Sequence, residues 1–351
     1  MTYYEKAAEK LELLRQKEKY YILAIESSCD ETAAAVLEGK KVLSNIIATQ
    51  IPLHRRFGGV VPEIASRNHL ASVDGTVKEA LDAANLTFKD IDLIAVTTGA
   101  GLLGALLVGV SYAKSLAYAL EIPLISVDHI KGHISANFIE NDSLSFPFIC
   151  LLASGGHTAI LRVNSYFDVK ILGSTVDDAA GEAFDKVARV LSLPYPGGPE
   201  IQKAAKSGKA VIPLPRAFKN ETHLNFSYSG LKTAVINYVH NAKARGEEIN
   251  TADVAASFQK EAVGVLIDHA IEGAKREGIN TIALAGGVGA NSALREGLKK
   301  ACLENGMTVH IPEKRLCTDN AAMIGLAAYL AVKEGAENSP LTLDANPARS
   351  V

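Results

Sequence analysis

Two segments of this chain share one layout, and this repetition restricts the possible folds more than any other feature. Residues 24–36 (AIESSCDETAAAV) and 151–163 (LLASGGHTAILRV) each contain an apolar run, a turn of small residues, a Thr-Ala pair and a second apolar run. Each run has the length and composition of a buried strand. Internal repetition across both halves predicts two similar α/β lobes that face each other across a cleft, with a boundary near residues 143–147.

Further apolar periodicity extends this prediction to a mixed sheet in each half. Hairpin-linked strands come first, and helices alternating with strands follow them, which excludes a purely parallel sheet. The predicted strands are 21–26, 32–37, 42–47, 92–96, 124–127, 148–153, 158–163, 169–175 and 281–285, and the predicted helices are 64–84, 105–120, 179–191, 230–244, 252–276, one beginning near Asn291 and one after Asp319.

The domain prediction follows from these elements. Residues 1–19 are expected to form an N-terminal helical extension, and residues 20–145 a first lobe that the C-terminal helix 319–335 completes. Residues 146–318 are expected to form a second lobe with a helical insertion, and residues 336–351 a C-terminal tail.

Composition excludes several classes of protein. The formal net charge of −3 argues against a chain that binds nucleic acid over its whole surface, so any nucleic acid must contact a local patch or a partner. The four cysteines lie far apart without a C-x-x-C pair, which argues against structural zinc and a disulfide framework. The apolar run 105–120 is interrupted by polar residues, and residues 1–19 lack the apolar core of a signal peptide. We therefore expect a cytoplasmic protein without membrane contact.

Two histidines in HIKGHISANF (residues 129–138) suggest a metal site, although an isolated H-x-x-x-H is more often a pair of surface or core histidines on a helix. His129 and His133 are one helical turn apart, so both imidazoles would lie on one face of a helix beginning near Asp128. Asp319 is the best candidate for an oxygen ligand, although it could simply be a helix N-cap. A zinc protease of the H-E-x-x-H type has glutamate after its first histidine, whereas this chain has Ile130. A metal here would orient or polarise a substrate rather than activate water.

Glycine-rich turns indicate a nucleotide ligand. Gly286, Gly287 and Gly289 lie between a predicted strand and a predicted helix, where free N–H groups and the helix dipole favour an anion. The alternative is an ordinary glycine turn with Asn291 as the helix N-cap. The turns at 154–158 and 27–30 occupy matching positions in the two halves and could also approach a phosphate. Gly99, Gly101 and Gly104 match the G-x-G-x-x-G pattern of dinucleotide folds, but close helix packing explains these three glycines better.

Two further clusters have weaker interpretations. Asp177, Asp178, Glu182 and Asp185, followed by YPGGPEI at 195–201, suggest a pocket wall, although acids near a helix N-terminus are stabilised without any function. The segment LHRRFGG (residues 53–59) could contact phosphates, or it could be an ordinary solvated loop.

Together, the motifs closely resemble one known family over nearly the whole chain from Tyr21. The chain resembles the tRNA N6-adenosine threonylcarbamoyltransferases, formerly called O-sialoglycoprotein endopeptidases. The motifs are ILAIESSCDETAAAV, FGGVVPEIASRNH, HIKGHISA, SGGHT, DDAAGEAFDKVARVL, YPGGPEI, FSYSGLKTA, GGVGANSALR and CTDNAAMIG.

The resemblance implies a fold and a site. The fold would be that of the actin-like ATPases, with two ribonuclease-H-like lobes and the ligand in the cleft. An Fe²⁺ ion, or zinc or another divalent ion, would be held by His129, His133 and Asp319. The substrate pocket would use Leu152, Ala153, Ser154, Gly155, Gly156, Asp185, Gly198 and Asn291, with a turn at Gly197-Gly198 as one of its walls. Residues 1–19 are a departure from the family pattern, because typical members lack this extension.

The resemblance also implies an acyltransferase reaction. Threonylcarbamoyl would pass from threonylcarbamoyl-adenylate to N6 of the adenosine 3′ of the anticodon, in tRNAs that read codons beginning with A, and AMP would leave. The expected partners are tRNA, an inactive paralogue of the same fold and a P-loop ATPase. Two alternatives stay open at this point: a metalloprotease acting on glycoproteins, and a non-catalytic scaffold paralogue.

Overall fold

The computed structural model describes residues 1–139, 141–218 and 221–348, so the last three residues of the predicted C-terminal tail lie outside the described part. The chain divides into two compact units. The first contains residues 1–144 and the chain from Asp319 onward, and the second contains Ser145–Thr318.

The helices and strands follow each other along the chain in the order expected of two similar halves. The strands are β1 (Tyr21–Glu26), β2 (Glu31–Glu38), β3 (Lys41–Thr49), β4 (Leu93–Gly99), β5 (Leu124–Asp128), β6 (Phe148–Ala153), β7 (Thr158–Val163), β8 (Val169–Ser174), β9 (Thr281–Ala285) and β10 (Thr308–His310). The helices are α1 (Tyr3–Gln16), α2 (Ile51–His54), α3 (Pro62–Ala83), α4 (Leu103–Leu120), α5 (His129–Ser135), α6 (Ala180–Val190), α7 (Gly197–Ala205), α8 (Ser229–Ala244), α9 (Thr251–Glu277), α10 (Ser292–Glu304), α11 (Lys314–Cys317) and α12 (Ala321–Lys333).

Each unit is built around one five-stranded mixed sheet, and the two sheets have the same topology. In the first unit the strand order is β3-β2-β1-β4-β5, with β1 antiparallel to β2 and parallel to β4. In the second unit the order is β8-β7-β6-β9-β10, with β6 antiparallel to β7 and parallel to β9. The prediction of a repeated α/β layout with mixed sheets is therefore confirmed.

Helices cover the apolar faces of both sheets. In the first unit α12 lies against β1 and β2, and nearly all of its side chains are buried. In the second unit α9 has a long buried face, which packs beside β6 and β7. Burial of these aliphatic faces is the main source of stability in each unit.

Helix α4 is long and apolar enough to cross a membrane by length and composition. Ala105, Val110 and Ala117 are buried in the core of the first unit, where α4 lies against α3 and β4. A single helix of this kind is weak evidence for a membrane span, because core helices of soluble proteins have the same composition.

The N-terminal segment is helical and packs within the first unit. Thr2 and Glu5 form a capping box at the start of α1. Tyr3, Ala7, Leu11 and Leu14 are buried along one face of this helix. The extension is therefore part of the core of the first unit rather than a solvated arm.

The segment after α12 covers the open edge of the first sheet. Ser339 donates its backbone N–H to the Leu124 carbonyl at 2.8 Å, and its hydroxyl oxygen accepts the Ser126 N–H at 2.9 Å. Further along, the Asn346 N–H donates to the Thr98 carbonyl at 2.7 Å. This cover satisfies backbone groups of β5 that would otherwise form an unpaired strand edge.

The structure corrects one local prediction and removes one alternative. Gly197 and Gly198 were expected to form a turn, but they are the first residues of α7. Proline at position 199 does not prevent this, because the first turn of a helix needs no N–H donor there. Asp319 is not an N-cap, because Asn320 has that role in α12 and accepts the Met323 N–H at 3.0 Å.

Candidate metal centre and glycine loops

The histidine pair lies where β5 ends and α5 begins. The Asp128 carboxylate caps the helix by accepting the N–H groups of Ile130 at 2.9 Å and Lys131 at 3.1 Å. This cap begins the helix at His129, so His133 follows one turn later on the same face. The two imidazole centroids are 4.6 Å apart with an interplanar angle of 82°.

Asp319 completes a three-residue cluster. Its Oδ1 atom lies 3.5 Å from Nε2 of His129 and 3.2 Å from Nε2 of His133. Close packing of α5 on α12 makes this possible, since a Cβ on Gly132 would lie 2.7 Å from Cδ1 of Ile324. One potential ligand atom from each of the three residues lies within 4.8 Å of the others. The structure thus brings together the three predicted metal ligands.

Glu26, at the end of β1, has no exposed surface and supports this cluster. Its Oε2 atom lies 3.2 Å from Nδ1 of His129, its Oε1 atom accepts the Ser28 N–H at 2.5 Å, and Oε2 accepts the Thr97 hydroxyl at 2.5 Å. A histidine that donates Nδ1–H to a carboxylate presents the Nε2 lone pair to a metal. Sequence analysis missed this role, although a charged residue ending a buried apolar strand was a usable signal.

Electrostatics of the cluster favour an ionised carboxylate beside a basic imidazole. Burial opposes the charged form of His129, but Asp319 and then Glu26 raise the pKa of His129 to about 9. Burial likewise opposes ionisation of Asp319, but His129 and His133 lower its pKa to about 2. For Glu26, burial is again outweighed, mainly by His129, and the pKa is lowered. These groups form a buried acid–base cluster.

His133 provides the test of whether a metal fits. Its ring is 1% exposed, and within the described residues neither ring nitrogen makes a hydrogen bond of good geometry, although Nε2 is close to Asp319. A buried imidazole without a hydrogen bond is unusual and calls for an explanation. Two neutral imidazole nitrogens and one carboxylate oxygen are suitable donors for a divalent transition metal. The residues therefore fit a metal ion.

In the second unit, the glycine turns lie at one edge of the sheet. Parallel pairing of β6 with β9 sets Leu152 opposite Ala285, so Ser154 and Gly286 follow their strands at the same edge. A Cβ on Gly286 would lie 2.5 Å from the Ala153 carbonyl oxygen, and the φ of Gly286 is 89°. Glycine at 286 is thus required by the close approach of the two turns.

The hairpin turn after β6 is tightly closed. The Ser154 N–H donates to the His157 carbonyl at 2.8 Å, and the His157 N–H donates to the Ser154 hydroxyl at 3.0 Å. Helix α6 begins beside it, where the Gly181 N–H donates to the Ser154 carbonyl at 3.1 Å. Leu152 and Ala153 lie within β6 with buried side chains, so Ser154 is the first predicted pocket residue beyond the strand.

Four other glycines have no steric role in the fold. A Cβ on Gly155, Gly156, Gly198 or Gly287 would meet no heavy atom within 4 Å, and none of these residues has a left-handed φ. The fold would tolerate alanine at each position.

Asp185 and Asn291 each accept a backbone N–H from the first turn of a helix. Asp185 accepts the Gly197 N–H at 2.6 Å, at the first residue of α7. Asn291 caps α10 and donates its side-chain amide to Gln259 at 2.9 Å. Gln202 of α7 accepts the N–H of Ser292 at 2.6 Å, so α7 connects these two predicted pocket residues.

The remaining acids of the cluster at 177–185 have structural partners. Asp178 pairs with Lys186 at 2.7 Å and with Lys232 at 2.5 Å, which ties α6 to α8. Asp177 accepts the Tyr228 N–H at 2.8 Å, just before α8. These contacts explain both aspartates without a ligand.

Two of the three glycines that resemble a dinucleotide motif, Gly101 and Gly104, are packing residues. A Cβ on Gly101 would lie 2.5 Å from the Ser28 carbonyl oxygen, and a Cβ on Gly104 would lie 2.4 Å from the Ser66 hydroxyl oxygen. The preceding strand β4 lies in the middle of a mixed sheet that begins with a three-strand meander. The packing explanation therefore stands.

The fold is that of known nucleotide-binding α/β proteins. The chain matches the crystal structure of full-length HypF in the phosphate- and nucleotide-bound form with a TM-score of 0.61 and 17% identity, over 92% of this chain and 48% of that one. It matches the activator of the 2-hydroxyisocaproyl-CoA dehydratase from Clostridium difficile with bound ADPNP with a TM-score of 0.50 and 13% identity, over 90% and 96% of the two chains. Fold and site together define a protein of the actin-like ATPase fold with a candidate two-histidine, one-carboxylate metal centre.

Sequence relatives define the family within this class. The family model described as tRNA N6-adenosine threonylcarbamoyltransferase matches residues 41–326. The protein of that name from Clostridium perfringens (strain SM101) is 56% identical over 331 residues, covering 94% of this chain and 97% of its own. The one from Clostridium botulinum (strain 657) is 57% identical over 333 residues, covering 94% and 98%. The chain belongs to the tRNA N6-adenosine threonylcarbamoyltransferase family.

Proposed function

We propose that this protein transfers the threonylcarbamoyl group of threonylcarbamoyl-adenylate to N6 of the adenosine 3′ of the anticodon (position 37), in tRNAs that read codons beginning with A, and releases AMP. The single observation that supports this best is the cluster of His129, His133 and Asp319, supported by buried Glu26, in a member of this family. A protease mechanism lacks its base, since the residue after His129 is the buried, apolar Ile130. A scaffold paralogue would not need an intact ligand cluster.

The metal we propose is Fe²⁺, held by His129, His133 and Asp319. Two histidines with one carboxylate are typical of non-haem iron(II) centres, and zinc or another divalent ion would also accept this donor set. When bound, the ion supplies a Lewis acid that fixes the threonylcarbamoyl group and polarises its carbonyl.

The residues around the cluster have a positioning role in this proposal. Glu26 accepts the Nδ1 proton of His129, so that Nε2 faces Asp319. The Ser28 hydroxyl, 3.2 Å from the same Nδ1, restrains the ring from a second direction. Because N6 of adenine is a weak nucleophile, orientation of the donor must provide much of the rate enhancement.

The glycines of the second unit are suited to the adenylate part of the donor. Gly155, Gly156, Gly198 and Gly287 leave space beside the backbone. The sequence predicted free N–H groups at the start of α10, but Gln202 and Asn291 accept them, so only the helix dipole favours negative charge there. We propose that these positions, with Asp185 as a further wall, bind the nucleotide that leaves as AMP.

We further propose that the protein works in the cytoplasm with an inactive paralogue of the same fold and with a P-loop ATPase. The chain has no G-x-x-x-x-G-K-[ST] sequence of its own, which is consistent with a separate ATPase. Leu70 of α3 and Leu103 and Leu107 of α4 are exposed on neighbouring helices, and Leu70 is 72% exposed. Exposed apolar side chains on adjacent helices are suited to a protein partner.

Reconstitution tests the proposed reaction. Purified protein, its partner proteins, threonylcarbamoyl-adenylate and unmodified tRNA should yield the modified nucleoside, detected by mass spectrometry after nuclease digestion. The double variant His129→Ala, Asp319→Ala should give no product, whereas a variant of exposed His240, His240→Ala, should match the wild type. No product with an active partner set would refute the proposal.

A further inference from the structure

The turn formed by Arg55, Arg56 and Phe57 between α2 and α3 has no role in the site described above. We propose that this basic–aromatic turn is a contact surface for the tRNA substrate, with arginine on the phosphates and Phe57 on an unpaired base. The inference rests on the proposed function, because it takes tRNA as the substrate.

The turn exposes arginine side chains next in sequence to an aromatic residue. All three side chains are exposed, and that of Phe57 is 55% exposed. Residues 49–62, all of them described, contain no carboxylate, and Arg56 has no ion pair within the described residues. By contrast, Arg67 on α3 is paired with Glu63 at 2.7 Å. The adjacent residues Arg56 and Phe57 thus offer a phosphate contact and an exposed ring on which a base can stack.

The turn is held firmly although its side chains are exposed. His54, immediately before it, is fully buried, and its Nε2 lies 3.3 Å from the Gln50 side-chain oxygen. Its Nδ1 accepts the Val61 N–H at 3.3 Å, so the two ends of the loop are joined. Gly58, with a φ of 70°, ends the turn and donates its N–H to the Arg55 carbonyl at 3.2 Å. A rigid base limits the entropy lost when the exposed side chains bind.

The position of the turn relates it to the metal centre within the first unit. Thr49 is the last residue of β3 and pairs with Glu31 of β2. The following residue, Gln50, donates its N–H to the Asp30 carbonyl at 2.9 Å. Asp30 belongs to the same β1–β2 turn as Ser28, whose hydroxyl is 3.2 Å from Nδ1 of His129. The basic–aromatic turn therefore leaves the sheet at the edge where the metal ligands lie. RNA that brings an adenosine to this edge would approach the turn.

The chemistry favours RNA with unpaired bases over other polyanions. Arginine binds phosphate oxygens without sequence preference, and an aromatic ring stacks on bases that have left a helix. A tRNA anticodon loop offers phosphates and splayed bases within a few ångströms of each other. A polyanion without bases would gain nothing from Phe57.

Direct binding measurements with charge and ring variants test the inference. The variants are Arg56→Glu and Phe57→Ala. The matched control is Lys89→Glu, because exposed Lys89 lies in the turn Phe88–Asp90, which precedes β4 at the opposite edge of the sheet. Full-length protein, alone and with the partner proteins used for reconstitution, is titrated into fluorescein-labelled unmodified tRNA and followed by anisotropy at two salt concentrations. Co²⁺ binding, followed by its visible absorption, reports whether the metal centre is intact.

We expect Arg56→Glu and Phe57→Ala each to weaken tRNA binding by about fivefold or more. Arg56→Glu should also reduce the slope of log affinity against log salt concentration by about one, as expected for one lost phosphate contact. Lys89→Glu should bind within about twofold of the wild type, and Co²⁺ affinity should be unchanged in all variants. Three results would each overturn the inference. The first is an equal loss of tRNA affinity in Arg56→Glu and Lys89→Glu, the second is wild-type affinity in both turn variants, and the third is a wild-type protein that binds no tRNA. A wild type that binds tRNA through this turn but forms no product would instead refute the proposed reaction alone.

Discussion

Nδ1 of His129 lies 3.2 Å from Oε2 of Glu26, a carboxylate with no exposed surface. One hydrogen bond thus joins the last residue of β1 to the first residue of α5, although these two residues are far apart in sequence. This contact fixes which nitrogen of His129 faces the other two ligands, and it makes Glu26 part of the candidate metal centre without being a ligand itself.

Replacement of Glu26 should weaken metal binding while the fold persists. Glu26→Gln keeps the shape of the side chain and its acceptor for the Ser28 N–H, but it removes the charge that stabilises the Nδ1–H tautomer. We expect a loss of metal affinity of about 10- to 100-fold, measured by Co²⁺ titration. Glu38→Gln, at the opposite end of the neighbouring strand β2, is the control and should bind as the wild type does. Unchanged affinity in Glu26→Gln would show that the contact is only structural.

Metal affinity should rise with pH. Because the pKa of His129 in the metal-free protein is raised to about 9, the imidazole is protonated at neutral pH and the metal must displace this proton. The apparent Co²⁺ affinity should therefore increase by about tenfold per pH unit between about pH 7 and 8.5, and level off near pH 9. Asp319, with a pKa of about 2, stays ionised throughout this range. Affinity that does not vary with pH would contradict the assigned protonation state.

Two kinds of glycine should respond differently to alanine. Gly198→Ala places a methyl group in open space, so the midpoint of thermal unfolding should shift by no more than about 1 °C, while AMP affinity should fall because a ligand contact is obstructed. Gly286→Ala forces a Cβ to 2.5 Å from the Ala153 carbonyl oxygen at a φ of 89°. Its free energy of unfolding should fall by about 2 kcal/mol or more. Calorimetry of unfolding and of AMP binding separates the two effects, and full AMP affinity in Gly198→Ala would remove this residue from the proposed pocket.

The N-terminal helix should contribute to the stability of the first unit. Leu11 on α1 is 2% exposed, so Leu11→Ala should lower the free energy of unfolding by about 2–4 kcal/mol. Leu13, on the opposite face, is 57% exposed, and Leu13→Ala should change the free energy of unfolding by about 0.5 kcal/mol at most. Chemical denaturation measures both. Equal effects of the two substitutions would show that α1 does not pack as described.

Several local features could be predicted because they depend on residues close together in the chain. The predicted bounds of β1, β6, β7 and β9 match the structure, since each is an apolar run between turn residues. The helix at His129 also follows from local chemistry, because Asp128 is a good N-cap. Helix α7 was missed for the opposite reason. Its Gly-Gly-Pro start has a poor intrinsic preference for helix, and a distant group, the Asp185 carboxylate, stabilises its first N–H.

Sequence alone therefore determined the repeated strand–turn–strand layout, the helical spacing of His129 and His133, and the positions of the glycine turns, because these follow from hydrophobic periodicity and backbone preference. Tertiary structure decided that Asp319 approaches both histidines and that Glu26 holds His129. Packing of α5 on α12 and the pairing of β1 beside β4 bring these side chains together. Contacts between residues distant in sequence depend on the geometry of packed elements, which local sequence patterns do not specify.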